Sequence, residues 1–151
     1  MKKYTLILAA FALLLLAKPA SAQTTDAVFT GAKPTLKNYN ALYILNSNDD
    51  KKIKATLRNL DNALEDPRLK GKLHVELIAF GDGVSVFMKS NPYEETLKKL
   101  QEKGVILAQC NNTVRERKIE KTDLFDFISY VPSGNGEIIL REYEGWATVH
   151  P

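Results

Sequence analysis

Apolar runs of strand length alternate with stretches of helical periodicity along this chain, and no other feature narrows its fold as much. Asn40 to Leu45 is the first run, Leu73 to Phe80 the second and Val105 to Gln109 the third. Ile128 to Val131 is the fourth, and Trp146 to Val149 a short last one. After the first run, the loop Asn46-Ser-Asn-Asp-Asp50 is rich in residues that cap helices. Ile53, Leu57, Leu60 and Leu64 then recur at helical spacing, so Lys51 to Glu65 reads as an amphipathic helix, stopped by Asp66-Pro67. After the second run, Gly81-Asp82-Gly83 reads as a turn, and Val84 to Met88 as a short helix or an irregular covering segment. A marked helix follows, with Asn91 as cap, Pro92 in its first turn, and Glu94 and Glu95 at its positive end. Its inward stripe is Tyr93, Leu97 and Leu100, and Lys103-Gly104 closes it. The fourth run leads into Pro132-Ser-Gly-Asn-Gly136, read as a flexible loop. Glu137 to Glu144 is then a helix with Ile138, Ile139 and Tyr143 inward and Gly145 as its stop. Parallel strands need crossovers of about this length, usually helical. The alternation therefore predicts a parallel α/β sandwich with helices on both faces.

The first residues read as an export signal. Lys2 and Lys3 precede the apolar run Leu6 to Ala17, and Ala20-Ser21-Ala22 is a small-residue cleavage box, so residues 1–22 form the expected signal peptide and Gln23 the first mature residue. The run is short for a membrane span, and no cysteine follows it to carry a lipid, so no stable membrane anchor is expected. Residues 23–39 are polar, broken by Pro34, and read as an arm or linker; 40–151 is the expected domain. The formal charge of +3 belongs to the signal: without Lys2, Lys3 and Lys18, the basic residues only match the 18 acidic ones. A neutral chain with scattered charges argues against nucleic acid or an anionic membrane as the main partner. The localisation expected from the signal is export, to the bacterial periplasm, which is oxidising.

In that compartment a single cysteine, Cys110, has no partner in its own chain. It lies between the third strand and the helix start Asn111-Asn-Thr-Val-Arg-Glu-Arg117, where Thr113 and Glu116 have capping-box spacing. A thiol near the positive end of a helix dipole, with Arg115 and Arg117 close in sequence, favours the thiolate. The plain alternative is a small apolar residue ending a buried strand.

Ligands of parallel sheets collect outside the carboxyl ends of the strands. Asn46–Asp50, Gly81–Gly83, Cys110–Thr113 and Pro132–Gly136 are the loops at that edge. Gly81, Asp82 and Gly83 form either an anion-binding nest or a tight turn. Ser133 and Gly134 have the same ambiguity; their loop lacks the lysine of a P-loop, and no dinucleotide glycine fingerprint is present. Asn59 and Asn62, poor helix formers three residues apart on the first helix, suggest amides bonded to a neighbouring loop or subunit. His74 and His150 lie at opposite ends of strands; no cluster has metal-ligand spacing, and no cofactor or metal is implied. Trp146 reads as core or interface.

Leu57-Arg-Asn-Leu-Asp-Asn-Ala-Leu64, Ala79-Phe-Gly-Asp-Gly83, Lys103-Gly-Val-Ile-Leu-Ala-Gln-Cys-Asn-Asn-Thr113, Val131-Pro-Ser-Gly134 and Gly145-Trp146 together resemble the DsrE/DsrF-like proteins linked to sulfur metabolism. The strand-end cysteine followed by Asn112-Thr113 is the most specific piece. The resemblance spans about Asn40 to Pro151. It implies a three-layer α/β/α domain with a five-stranded parallel sheet, assembly into homo-oligomers (trimers or hexamers), and a cysteine that carries sulfur as a persulfide between a donor and an acceptor protein. Cys110 is then the candidate carrier, Asn112 and Thr113 with the helix amides its stabilisers, and Arg115 or Arg117 the holder of an anionic donor. Gly81, Asp82, Gly83, Ser133 and Gly134 complete the expected site. Phe87, Phe125 and Phe127, in segments peripheral to the expected sheet, offer apolar surface for assembly. The alternative function is a non-enzymatic oligomeric binding module for a small anion or a protein, with Cys110 buried and inert.

Overall fold

The computed structural model describes residues 28–151; the expected signal peptide and the first residues of the expected arm lie outside them. Five parallel strands form one sheet in the order β4-β3-β2-β1-β5. In chain order the elements are β1 (Tyr39–Leu45), α1 (Asp50–Glu65), β2 (Leu73–Ala79), a 3-10 helix (Gly81–Phe87) and α2 (Glu94–Glu102). Then come β3 (Ile106–Cys110), α3 (Asn111–Glu116), a 3-10 turn (Lys121–Asp123), β4 (Ser129–Val131), α4 (Gly134–Tyr143) and β5 (Ala147–Val149).

The two faces of the sheet are covered unequally. Alternate residues of a strand point to opposite faces. Ala41, Tyr43, Leu45, Val75, Leu77, Ala79 and Leu107 point to the face where α1 sets Ile53, Leu57 and Leu60, α2 sets Leu97 and Leu100, and α3 sets Val114. This is the main core, and each fully buried leucine in it contributes roughly 1.5–3 kcal/mol. Leu42, Ile44, Ile78 and Ala108 point the other way, where Phe80, Val131, Ile138 and Trp146 pack against them. Of these four only Ile138 comes from a helix, α4.

Local sequence chemistry explains most boundaries. Asp49 caps α1, its carboxylate accepting from the Lys52 N–H at 2.8 Å. Tyr93 donates its hydroxyl to Asp50 at 2.8 Å and ties α2 to the start of α1; burial and this bond to the carboxylate push the phenol up to about 12. Gly104, with φ +88°, ends α2 in the left-handed region that glycine tolerates best.

Four sequence expectations are corrected. Asn91 does not cap α2: Tyr93 occupies the cap position, and Asn91 donates its amide to the Ser85 carbonyl at 2.7 Å instead. Gly81–Gly83 is not a separate turn but the first turn of the 3-10 helix running to Phe87. Phe87 and Phe125 are buried in the protomer's own core, with Phe127 stacked on Phe125 at 5.3 Å, because the 124–127 segment folds back against the end of that 3-10 helix. Phe87 and Phe125 therefore offer no assembly surface, while Phe127 is half-buried. Finally, α4 begins at Gly134, capped by Ser133, so the stretch read as a flexible loop is its first turn. The earlier start resets its inward face: Ile138 packs on the sheet, while Ile139, Leu140 and Tyr143 are exposed.

The 3-10 helix crosses the end of β1 at the closest backbone approach among the glycines. A Cβ on Gly83 would lie 2.0 Å from the Leu45 carbonyl oxygen. Gly83→Ala is therefore expected to destabilise the protein by about 3 kcal/mol. Gly136→Ala, where the added carbon meets Ser133 at an ordinary 3.4 Å, should be neutral or stabilising by up to about 1 kcal/mol in helix α4. Urea unfolding of the two variants checks both; equal midpoints would contradict the packing account.

Candidate functional site

The strand order places the site. The connections after β1, β2 and β3 cross the face that carries the main core, whereas the connection after β4 crosses the other, because β5 lies beyond β1. The chain therefore parts to opposite sides of the sheet beyond the carboxyl ends of the neighbouring strands β3 and β4. A crevice opens at such a switch point. Here it is a cleft of about 250 Å³ lined by Phe80, Gly81, Cys110, Asn112, Thr113, Glu116, Ser133, Gly134 and Asn135.

Cys110 forms its floor. It is the last residue of β3 and the cap residue of α3, and it is 5% exposed. Burial pushes its thiol up. Against that act the backbone N–H and hydroxyl of Thr113 and the backbone N–H groups of Gly134 and Asn112, and together they hold it below the ordinary thiol value. The N-termini of α3 and α4, arriving from opposite faces, thus converge on one sulfur. The orientation of the Thr113 hydroxyl follows from a second bond: its oxygen accepts from the Gly81 N–H at 2.9 Å, leaving its proton for the sulfur. Gly81 reaches that position with φ +54°, a conformation side chains disfavour. Beneath the site, the buried Gln109 amide donates to the Cys110 carbonyl at 3.0 Å and holds the strand-to-helix corner.

Of the residues singled out in the sequence, the structure brings together Gly81, Cys110, Asn112, Thr113, Ser133 and Gly134. It sets Asp82, Gly83, Arg115 and Arg117 outside the cleft. Arg117 is joined to Asp82 at 2.7 Å and fastens the 3-10 helix to α3, whereas Arg115 is exposed beside Glu116 at 3.8 Å. The lowering of the thiol comes from peptide and hydroxyl dipoles rather than from arginine. The capping box is not formed either, because α3 starts at Asn111 and Thr113 is already helical. The sequence reading missed Phe80, Glu116 and Asn135, whose place in the cleft depends on how α3 and α4 start. Asn59 and Asn62 are exposed on α1, and His74 and His150 are exposed as well. Among the described residues no group of His, Cys, Asp and Glu could hold a metal ion, and no helix is long and apolar enough to cross a membrane. A larger groove of about 540 Å³ runs between α1 and α2, lined by Leu57, Tyr93 and Leu100, but it contains none of the cleft residues.

A three-layer parallel α/β protein with a lone thiol at its switch point is the class defined by this fold and site. The chain belongs to the DsrE/DsrF-like family, whose model matches residues 9–151. Among solved structures it is similar to a protein of unknown function, MTH1491, from Methanobacterium thermoautotrophicum, at 28% identity and a TM-score of 0.71, covering 76% of this chain and 100% of that one. It shares its fold with the ychN protein of E. coli (14% identity, TM-score 0.57, 77% of this chain and 100% of that one). The same holds for the protein of unknown function BT1422 of Bacteroides thetaiotaomicron (16%, 0.55, 74% and 94%). No curated protein matches the chain.

Because the hydroxyl of Thr113 both accepts from Gly81 and serves the sulfur, Thr113→Val should raise the thiol titration midpoint and slow alkylation at neutral pH severalfold. Thr113→Ser, which keeps the hydroxyl, should leave it in place. The sign for stability follows from the depressed thiol. Its contribution is complete above the unfolded thiol value of about 8.5 and fades as pH falls through the lower folded value. The stability of the wild type relative to Cys110→Ser should therefore rise with pH across that window. Iodoacetamide rates and urea midpoints measured against pH check both, and an unmoved midpoint in Thr113→Val would contradict the hydroxyl's role.

Proposed function

We propose that this protein is an exported, homo-oligomeric sulfur carrier that holds sulfane sulfur, or a thiol adduct, on Cys110. The observation that carries the reading is the convergence of the α3 and α4 N-termini on a thiol at the floor of an open cleft. The dipoles favour thiolate, which is the attacking species in sulfur exchange.

The chemistry is an exchange that needs no outside oxidant. The Cys110 thiolate attacks the outer sulfur of a donor persulfide. The new S–S bond forms as the donor's S–S bond breaks, and the donor leaves as thiolate with the electron pair of the broken bond. An acceptor thiolate then attacks the outer sulfur held on Cys110, and the Cys110 thiolate returns. The N–H groups of Asn112, Thr113 and Gly134 stabilise the anion at both ends of the cycle. Ser133, Asn112 and Asn135 supply neutral polar lining. An anionic donor would be held by these groups rather than by Arg115 or Arg117. The cleft volume suits a small sulfur species or the cysteine of a partner protein, not a large cofactor. Exposed Ile139, Leu140 and Tyr143 on α4 replace the buried phenylalanines as the apolar surface that supports assembly as a trimer or hexamer. A second reading, a binding module with an inert thiol, is favoured by the 5% exposure of Cys110.

Native mass spectrometry of protein from its own host tests the proposal in one measurement. The expected result is a subunit beginning at Gln23, three or six subunits per particle, and one added sulfur per subunit after polysulfide treatment, the last absent from Cys110→Ser. A folded wild type that gains no sulfur would sink the carrier reading and leave the binding module.

A further inference from the structure

We propose that Glu76 and Arg141 form a clamp that positions the start of α4 on Cys110, an inference that rests on the reading of Cys110 as a working thiolate. Glu76 is a charged residue in the middle of a strand of the central sheet, and it is 1% exposed. Arg141, near the end of α4, reaches it with Nε at 2.8 Å and a second nitrogen also at 2.8 Å, both on the same carboxylate oxygen. Arg141 is held in turn by Glu137 at 3.0 Å and Glu144 at 3.0 Å, and it stacks over Trp146 at 4.3 Å.

The geometry joins this cluster to the sulfur. Glu76 pairs with Ile106 in the ladder, so it lies on the same face as Ala108 and Cys110. Four residues along β3 separate its level from Cys110, about 13 Å. On α4, seven residues separate Gly134 from Arg141, about 10 Å and close to two full turns. Gly134, Ile138 and Arg141 therefore form one stripe facing the sheet. The stripe touches at three points: the Gly134 N–H at Cys110, Ile138 on the apolar patch, and Arg141 on Glu76. At the Gly134 end the fit is close, since a Cβ there would lie 3.0 Å from Phe80. Ile138 is the only apolar side chain of α4 packed on this face, while its neighbours Ile139, Leu140 and Tyr143 face out. A single apolar contact lets a helix slide or roll; directed N–H···O bonds at its far end do not.

The energetics agree with a positioning role. Burial pushes the Glu76 carboxyl up, and Glu137 and Glu144 add to this, so the attraction of Arg141 does not fully offset the burial. The second oxygen of Glu76 has no hydrogen-bond partner. A buried ion pair of this kind is often replaced by apolar groups without loss of stability. What it supplies here is register. The groups that face Glu76 are Arg141, Glu137 and Glu144; the ionisable side chain that lines the cleft of Cys110 is Glu116.

Glu76→Met separates placement from stability. Because Arg141 keeps Glu137 and Glu144 as partners, this variant leaves no uncompensated charge and should unfold in urea at a midpoint close to that of the wild type, while the Cys110 alkylation midpoint moves up and the rate at neutral pH falls severalfold. Arg141→Lys, which keeps a cation against Glu76, should retain most of the wild-type midpoint. The direction is diagnostic, because removing a negative charge near the thiol would by itself move the midpoint down. A folded Glu76→Met with an unmoved or lowered midpoint overturns the clamp. Should that variant not fold, Glu76→Gln is read by the same criteria. A wild-type midpoint at the ordinary thiol value strikes the reading of Cys110 itself, and the clamp falls with it.

Discussion

The reversal of crossover direction between β3 and β4 is the constraint on which the rest of the molecule depends. Three successive connections carry helices over one face of the sheet, and the fourth carries α4 over the other. Right-handed crossovers leave no alternative once β5 lies beyond β1. The reversal opens the crevice, aims two helix N-termini into it from opposite sides, and sets the one cysteine between them. It also divides the labour of the two faces. The side under α1, α2 and α3 holds the large apolar core, and the side under α4 holds a small apolar patch and a buried ion cluster.

The lowered thiol follows from which dipoles reach the crevice. A thiolate buried at a strand end would be raised by desolvation alone. Peptide N–H groups and the fixed hydroxyl of Thr113 counter this without bringing a charged side chain into the cleft, and in the proposed exchange they would cost no reorganisation as the charge on the sulfur changes. The arginines nearest in sequence are engaged or exposed elsewhere. Arg117 joins α3 to the 3-10 helix through Asp82, so its effect on the site is to hold the frame that carries Gly81 and Thr113.

Much of the fold was legible from local patterns. The period of Ile53, Leu57 and Leu60 marked α1, Asp49 and its neighbours marked its start, and Gly104 marked the end of α2, because each depends on contacts within a few residues. The strand-end place of Cys110 was legible for the same reason. The missed features all turn on distant partners. Asn91 had the chemistry of a cap, but the Ser85 carbonyl was in reach and took its amide. Thr113 and Glu116 had the spacing of a capping box, but α3 began two residues earlier and the hydroxyl went to Gly81, 32 residues away in the chain. Phe87 and Phe125 looked peripheral because nothing local shows a segment folding back on itself. Glu76 carried a readable signal, a charge inside an otherwise apolar strand, but its partner lies 65 residues further on.

By itself, then, the sequence determined the alternation of strands and helices, the parallel sheet that alternation requires, and a single thiol at the carboxyl end of the third strand. Those properties rest on periodicity and on short-range backbone preference. Only the tertiary structure decided which loops share an edge, that Gly134 and Asn112 point N–H groups at the same sulfur, that Arg115 and Arg117 do not line its cleft, and which stripe of α4 meets the sheet. These depend on strand order and on the rotation of each helix about its axis. A shift of one residue in where a helix starts turns every side chain on it by about 100°, and periodicity alone does not set that start.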